Sequence, residues 1–153
     1  MTRARRAARP IWPLFVAWIQ ATILRDSFHK TRDRYLRWAK ARRRQPEPFN
    51  RPGLEVLTFL ELWLATLQSV VEAYERSVKH SDPTPSDRDV AKLLTSNRRK
   101  KLRQFRDTVF DSEVQDYRHI LAVLRGYKEF IQWAEMLLIV LGVAIAARGP
   151  HSR

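Results

Sequence analysis

The sequence predicts an all-α protein, a helical bundle of four to six helices. Glycine is scarce, with 4 among 153 residues. The long segments between prolines repeat their apolar residues at steps of three and four, the period of a helix rather than of a strand. Hydrophobic residues make up 44% of the chain, more than a disordered segment carries, so a buried core is expected. The expected organisation is a basic tail over residues 1–10, one bundle domain over 11–147 and a short tail over 148–153.

The first predicted helix starts after Pro10 and runs to the triple arginine at Arg42. Leu14, Trp18, Ala21, Leu24, Phe28, Thr31, Tyr35 and Trp38 form one stripe along it. The arginine-rich start followed by an apolar stretch has the order of a signal peptide. No small-residue cleavage site closes it, and the stripe continues far beyond it, so one long helix is the expectation. Pro46 and Pro48 end the helix, because proline lacks a backbone donor and disfavours helix in the residue before it.

A second helix is expected from about Leu54 to Lys79, striped by Leu57, Leu60, Leu64, Leu67, Val71, Tyr74 and Val78. Phe59, Leu62, Trp63 and Val70 widen that stripe, which suits a helix central to a bundle or facing a second subunit. Ser86 and Asp89 have capping-box spacing before a short helix over about 87–94. Ser96 or Asn97 can cap the next, over about 98–110, whose stripe of Leu102, Phe105 and Val109 directs Arg98, Arg99, Lys101 and Arg103 outward. Ser112 and Gln115 repeat the capping pattern ahead of a last helical region from about Glu113 to Ala147. Tyr117, Leu121, Leu124, Ile131, Leu138, Leu141 and Ile145 stripe that region, and Gly126 is the point at which it divides. Residues 136–147 are continuously apolar but shorter than a membrane span, and Gln132 and Glu135 precede them. A buried or subunit-facing helix is the expectation there.

Net charge is +13, and it is unevenly placed. Residues 1–51 hold 14 Lys/Arg against 3 Asp/Glu, a net of +11; residues 52–153 hold 15 against 13, a net of +2. Two basic runs stand out, Arg42-Arg43-Arg44 and Arg98-Arg99-Lys100-Lys101 followed by Arg103. Such runs suit phosphate contact. Four tryptophans, Trp18, Trp38, Trp63 and Trp133, fall on or beside helical stripes and are expected in the core. Trp12, beside the basic tail, is the one placed to stack on a base.

The run Leu102-Arg103-Gln104-Phe105-Arg106-Asp107-Thr108-Val109-Phe110-Asp111 resembles the signature helix of the HEPN superfamily, small helical domains many of which are metal-independent ribonucleases. The family motif is Arg, a polar residue, then His after four to six intervening positions. Arg106 stands at the Arg position and Asp107 at the polar one, whereas Asp111 stands where the His belongs. Three further stretches match in order: the Leu/Trp/Val-rich run 62–72 closing on Glu72, the link 89–94, and the pattern Gly126, Phe130, Trp133, Leu137 and Leu141. The resemblance covers about residues 54–147. It implies a bundle of four or more helices, commonly a homodimer with the two signature helices facing across a cleft.

Metal-free RNA cleavage needs a group that moves protons near neutral pH, and histidine, with a pKa of about 6.5, suits it. Aspartate, near 3.9, is a weak base whose charge repels phosphate. Arg106 retains the ability to grip phosphate. His29 follows Arg25, and His80 follows Arg76, with three intervening residues, one fewer than the motif; His119 lies thirteen after Arg106. No glycine-rich phosphate loop and no metal-ligand spacing is present, and Asp107, Asp111, Glu113 and Asp116 suit helix caps and first turns, so neither cofactor nor metal is expected. The absence of cysteine excludes disulfides.

The leading expectation is a catalytically degenerate HEPN-like protein in the cytoplasm. It binds RNA or a nucleotide through Arg42, Arg43, Arg44, Arg98, Arg99, Lys100, Lys101 and Arg103, or acts on a protein partner, in the prokaryotic defence or toxin–antitoxin setting that the resemblance implies. The alternatives are a ribonuclease that uses Arg106 with another acid–base group, and a membrane-associated protein using its C-terminal apolar helix. Of these the membrane reading is the least expected.

Overall fold

A computed structural model describes residues 11–42, 51–107 and 117–149. Within them the chain is an all-α bundle of six helices: α1 (Ile11–Arg42), α2 (Arg51–Val78), α3 (Pro85–Leu93), α4 (Ser96–Asp107), α5 (Tyr117–Gly126) and α6 (Lys128–Ala147). No strand occurs among the described residues.

The stripe of α1 packs as its spacing requires. Leu14, Ala21, Phe28, Thr31 and Tyr35 are buried, and Trp18, Leu24 and Trp38 are partly buried against the core. α2 lies antiparallel beside it, with Leu14 near Ala73 and Ser77, and Thr31 near Thr58 and Phe59. Leu57, Leu60, Leu64, Leu67, Val71 and Tyr74 of α2 are buried, and so are Trp63 and Val70. Leu62 departs from the sequence expectation. It is exposed, because at 100° per residue it falls on the side of α2 that none of the described helices covers.

α3 begins two residues earlier than its polar spacing suggests. Pro85 takes the first helical turn, where its missing donor costs nothing. The capping box is therefore Thr84 with Asp87, not Ser86 with Asp89: the Asp87 amide donates to Thr84 Oγ1 at 3.1 Å and the Thr84 amide to Asp87 Oδ2 at 2.9 Å. α4 likewise starts at Ser96, with Thr95 Oγ1 accepting from the Arg98 amide at 3.3 Å, so the cap is Thr95 rather than Ser96 or Asn97. The capping pair Ser112 and Gln115 lies outside the described residues.

The last apolar region divides at Gly126 as expected. α5 and α6 meet through Tyr127, whose amide donates to Val123 O at 3.0 Å and whose carbonyl accepts from the Ile131 amide at 2.8 Å. α6 closes the bundle against α1 and α3. Phe130, Ile131, Trp133, Leu137, Leu138, Leu141 and Ile145 enter the core, and Trp133 Nε1 donates to Leu93 O at 2.8 Å. The seam between α1 and α6 needs a residue without a side chain. A Cβ on Gly142 would stand 2.5 Å and 2.8 Å from ring carbons of Trp18, whose Nε1 donates to Leu138 O at 2.7 Å.

Candidate functional site

α4 carries Arg106 and Asp107 on its helical backbone. Their side chains, and Asp111 altogether, lie outside the described residues, as do Arg43, Arg44 and the side chains of Arg42 and His119. The rest of the basic run is described, and it divides.

Arg99 is not outward. Its guanidinium grips Glu75 of α2 through both Nη atoms, at 2.8 Å and 2.5 Å, while Nε donates to Leu94 O at 3.0 Å. The hydrogen bonds it donates to Glu75 raise its already high pKa further against the opposing effect of burial. Lys101 is not outward either: Nζ sits 4.9 Å and 5.0 Å from the ring centres of Tyr127 and Phe130, a cation–π arrangement. Arg98 is partly covered, its guanidinium 5.7 Å from the Trp133 ring. Each is drawn in by a neighbour on another helix that periodicity within α4 cannot reveal. Lys100 and Arg103 point to solvent, as an exposed basic run would.

A larger free cationic surface lies on α1. Its outward side carries Lys30, Arg34 and Arg37, with Lys40 beside them, all exposed and leading toward the Arg42–Arg44 run. Spacings of four and three put Lys30, Arg34 and Arg37 in one row. Among the described residues none of these four is held in an ion pair, whereas Arg25 and Arg32 bond Asp26 and Asp33. An open groove of 730 Å³ flanks the row, bounded by Lys30, Thr31 and Arg34 of α1 and by Glu55, Thr58 and Phe59 of α2.

His29 has a partner the sequence did not announce. Its Nε2 pairs with Glu135 of α6, and both side chains remain about 30% exposed at the mouth of a 270 Å³ cavity that Arg32, Lys128 and Gln132 also line. The imidazole lies 6.3 Å from the ring of Trp63, which is fully buried and whose Nε1 has no hydrogen-bond partner among the described residues. His80 is exposed at the end of α2. The spacing Arg25…His29 thus describes two residues on neighbouring turns, while the acidic neighbour of His29 is Glu135 across the bundle.

The strongest charge network is structural. Asp87 is buried and receives hydrogen bonds from the Tyr74 hydroxyl, the Thr84 amide and Arg148, whose Nη2 also donates to Asp82 O at 3.2 Å. Burial pushes the Asp87 carboxyl upward, but the hydrogen bonds and the positive charge of Arg148 outweigh it and hold the pKa at about 2. Burial and the adjacent carboxylate together push the Tyr74 hydroxyl well above its ordinary value. α2, α3 and the residue that caps α6 are joined at this point.

No group of acidic or histidine side chains suited to a metal ion occurs among the described residues. Two helical stretches, Glu55–Val78 and Lys128–Ala147, are long and apolar enough to cross a membrane, and half of each is buried inside the bundle. No protein-family model matches the chain, and neither a curated protein nor a solved structure does.

Proposed function

We propose that this chain is a cytoplasmic, HEPN-like homodimer that binds RNA through its helix surfaces, with Asp111 in the place of the catalytic histidine. The observation that carries this reading is the row Lys30, Arg34 and Arg37, continued by Lys40. These are exposed cations without carboxylate partners among the described residues, and they lead to Arg42–Arg44. Cations already bonded to acids gain little from phosphate, whereas free ones release the polymer's counterions when they meet it. Lys100 and Arg103 of α4 are further exposed cations, while Arg99 and Lys101 serve the fold. Fluorescence anisotropy with a labelled single-stranded RNA tests it. The triple variant Lys30→Gln/Arg34→Gln/Arg37→Gln should bind at least about tenfold more weakly, and its log–log salt slope should fall by about 0.7 for each phosphate no longer neutralised. Unchanged affinity and slope would remove the basis of the reading.

One observation favours the ribonuclease alternative. His29 held by Glu135, beside Arg32 and Lys128, offers an acid–base group next to two cations. The same protein incubated with RNA in EDTA separates the two readings. Cleavage that vanishes in His29→Ala or Arg106→Ala identifies an enzyme. A silent wild type that gains cleavage on Asp111→His identifies a scaffold without its catalytic group.

A further inference from the structure

Nine large hydrophobic side chains are exposed among the described residues, and seven of them lie on the first half of α1 and on α6; Leu36, further along α1, and Leu62 of α2 are the others. On the first half of α1 they are Trp12, Val16, Ile19 and Ile23, at steps of four, three and four. On α6 they are Met136, Ile139 and Val143, at steps of three and four. Each set therefore forms one continuous face of its helix. The two helices are packed together, and the 420 Å³ groove between them is lined by Trp18 and Thr22 on one side and by Leu138, Ile139 and Val143 on the other. Trp12 is 69% exposed, Ile23 58% and Ile139 57%, so these side chains are spread in solvent rather than tucked against the core. A concentration of this kind marks an interaction surface.

Charge says which partner it fits. Residues 11–24 contain no charged side chain. Arg3, Arg5, Arg6 and Arg9 precede this stretch in the sequence, and Lys30, Arg34 and Arg37 follow it on the outward side of α1. An apolar centre is thus bracketed by cations along the chain, and Trp12 stands at one boundary, where its ring suits the headgroup level of a bilayer. We infer that the α1–α6 face seats on an anionic lipid surface, with Trp12, Ile19, Ile23, Met136, Ile139 and Val143 entering the boundary between headgroups and acyl chains and Lys30, Arg34 and Arg37 meeting lipid phosphates. A second copy laid parallel would set Lys30, Arg34 and Arg37 against their own counterparts. An anionic bilayer accepts both the apolar centre and the basic ends. The inference shares Lys30, Arg34 and Arg37 with the RNA-binding reading and adds the apolar half of α1, which that reading does not use, so substitutions there separate the two.

Co-sedimentation of the full chain with vesicles tests it, comparing phosphatidylcholine alone with phosphatidylcholine containing phosphatidylglycerol. The wild type should pellet with the anionic vesicles at least about tenfold more efficiently than with the neutral ones, since each cation near the surface contributes roughly fivefold in affinity. Ile19→Glu/Ile23→Glu, on exposed positions, should abolish pelleting while leaving helicity and RNA affinity in place; Trp12→Ser, at the end of α1, should weaken it severalfold and serves if the double variant does not fold. Equal pelleting with both vesicle types, no pelleting of the wild type, or pelleting unaffected by every one of these substitutions overturns the inference. So does a solution dimer that Ile19→Glu/Ile23→Glu dissociates, because the occupant is then a second copy.

Discussion

Replacing Asp87 by asparagine keeps the shape of the side chain and removes its charge, which leaves Arg148 beside a neutral amide and weakens the acceptor that Tyr74 uses. Removing one partner of a buried, hydrogen-bonded charge pair is more costly than losing an exposed pair. Asp87→Asn should lower the unfolding free energy by about 3 kcal/mol, read from urea denaturation at neutral pH. The pH dependence has a definite sign. The folded pKa of about 2 lies below the unfolded value of about 3.9, so the contribution of Asp87 is complete above pH ~4 and is lost as pH falls toward 2. The wild type should lose about 2 kcal/mol through this group across that window, and the asparagine variant should show a flatter acid limb. At Gly142 two effects oppose each other. Alanine gains up to about 1 kcal/mol in helix propensity, but its Cβ would enter the Trp18 ring, and moving the indole breaks its bond to Leu138. Overpacking should prevail, giving Gly142→Ala a net loss of about 1–2 kcal/mol by thermal or urea unfolding.

At the scale of one helix, α4 separates two uses of positive charge that look alike in the sequence. Arg99→Gln should cost about 1 kcal/mol of stability, since the Glu75 pair is partly exposed, and should leave RNA affinity unaltered. Lys100→Gln/Arg103→Gln should leave the thermal midpoint in place and reduce the salt slope of RNA binding by about 0.7 per cation removed. A drop in RNA affinity on Arg99→Gln alone would contradict that division. Periodicity within an element finds the stripes of α1 and α2, the separation of α5 from α6 at Gly126, and the burial of Trp63 and Trp133. It misplaces the caps of α3 and α4, because Thr84 ahead of Pro85, and Thr95 ahead of Ser96, compete with neighbouring cap residues for the same turn. It also cannot see that Arg99 meets Glu75 and Lys101 meets Tyr127, since a helical wheel shows which side faces the core and not which neighbour waits there.

For the molecule as a whole, the all-α bundle is legible because each long helix repeats its apolar residues at helical steps. The surface is less legible. A one-dimensional count locates the positive charge in the first third of the chain, but only the packing shows which cations remain free and that the outward side of α1 changes from apolar to basic along its length. No local spacing connects His29 with Glu135, so their pairing is invisible until α6 is laid against α1. The signature residues Arg106, Asp107 and Asp111 stand out by their order in the chain alone, and their side chains fall outside the described residues.

The bond from Trp18 to Leu138 spans 120 positions. Its closure has a consequence for the order of assembly. α1 and α2 are consecutive and pack as a hairpin, so they can associate while the remainder is still being synthesised. The complementary side of α1, where Trp18 waits for Gly142, has no cover until α6 leaves the ribosome, and α6 follows the other five helices. While α2 to α5 are being synthesised, the Trp18 side of the first helix therefore stays uncovered, open to a chaperone or to another nascent chain. A truncation that stops before Lys128 would make that exposure permanent.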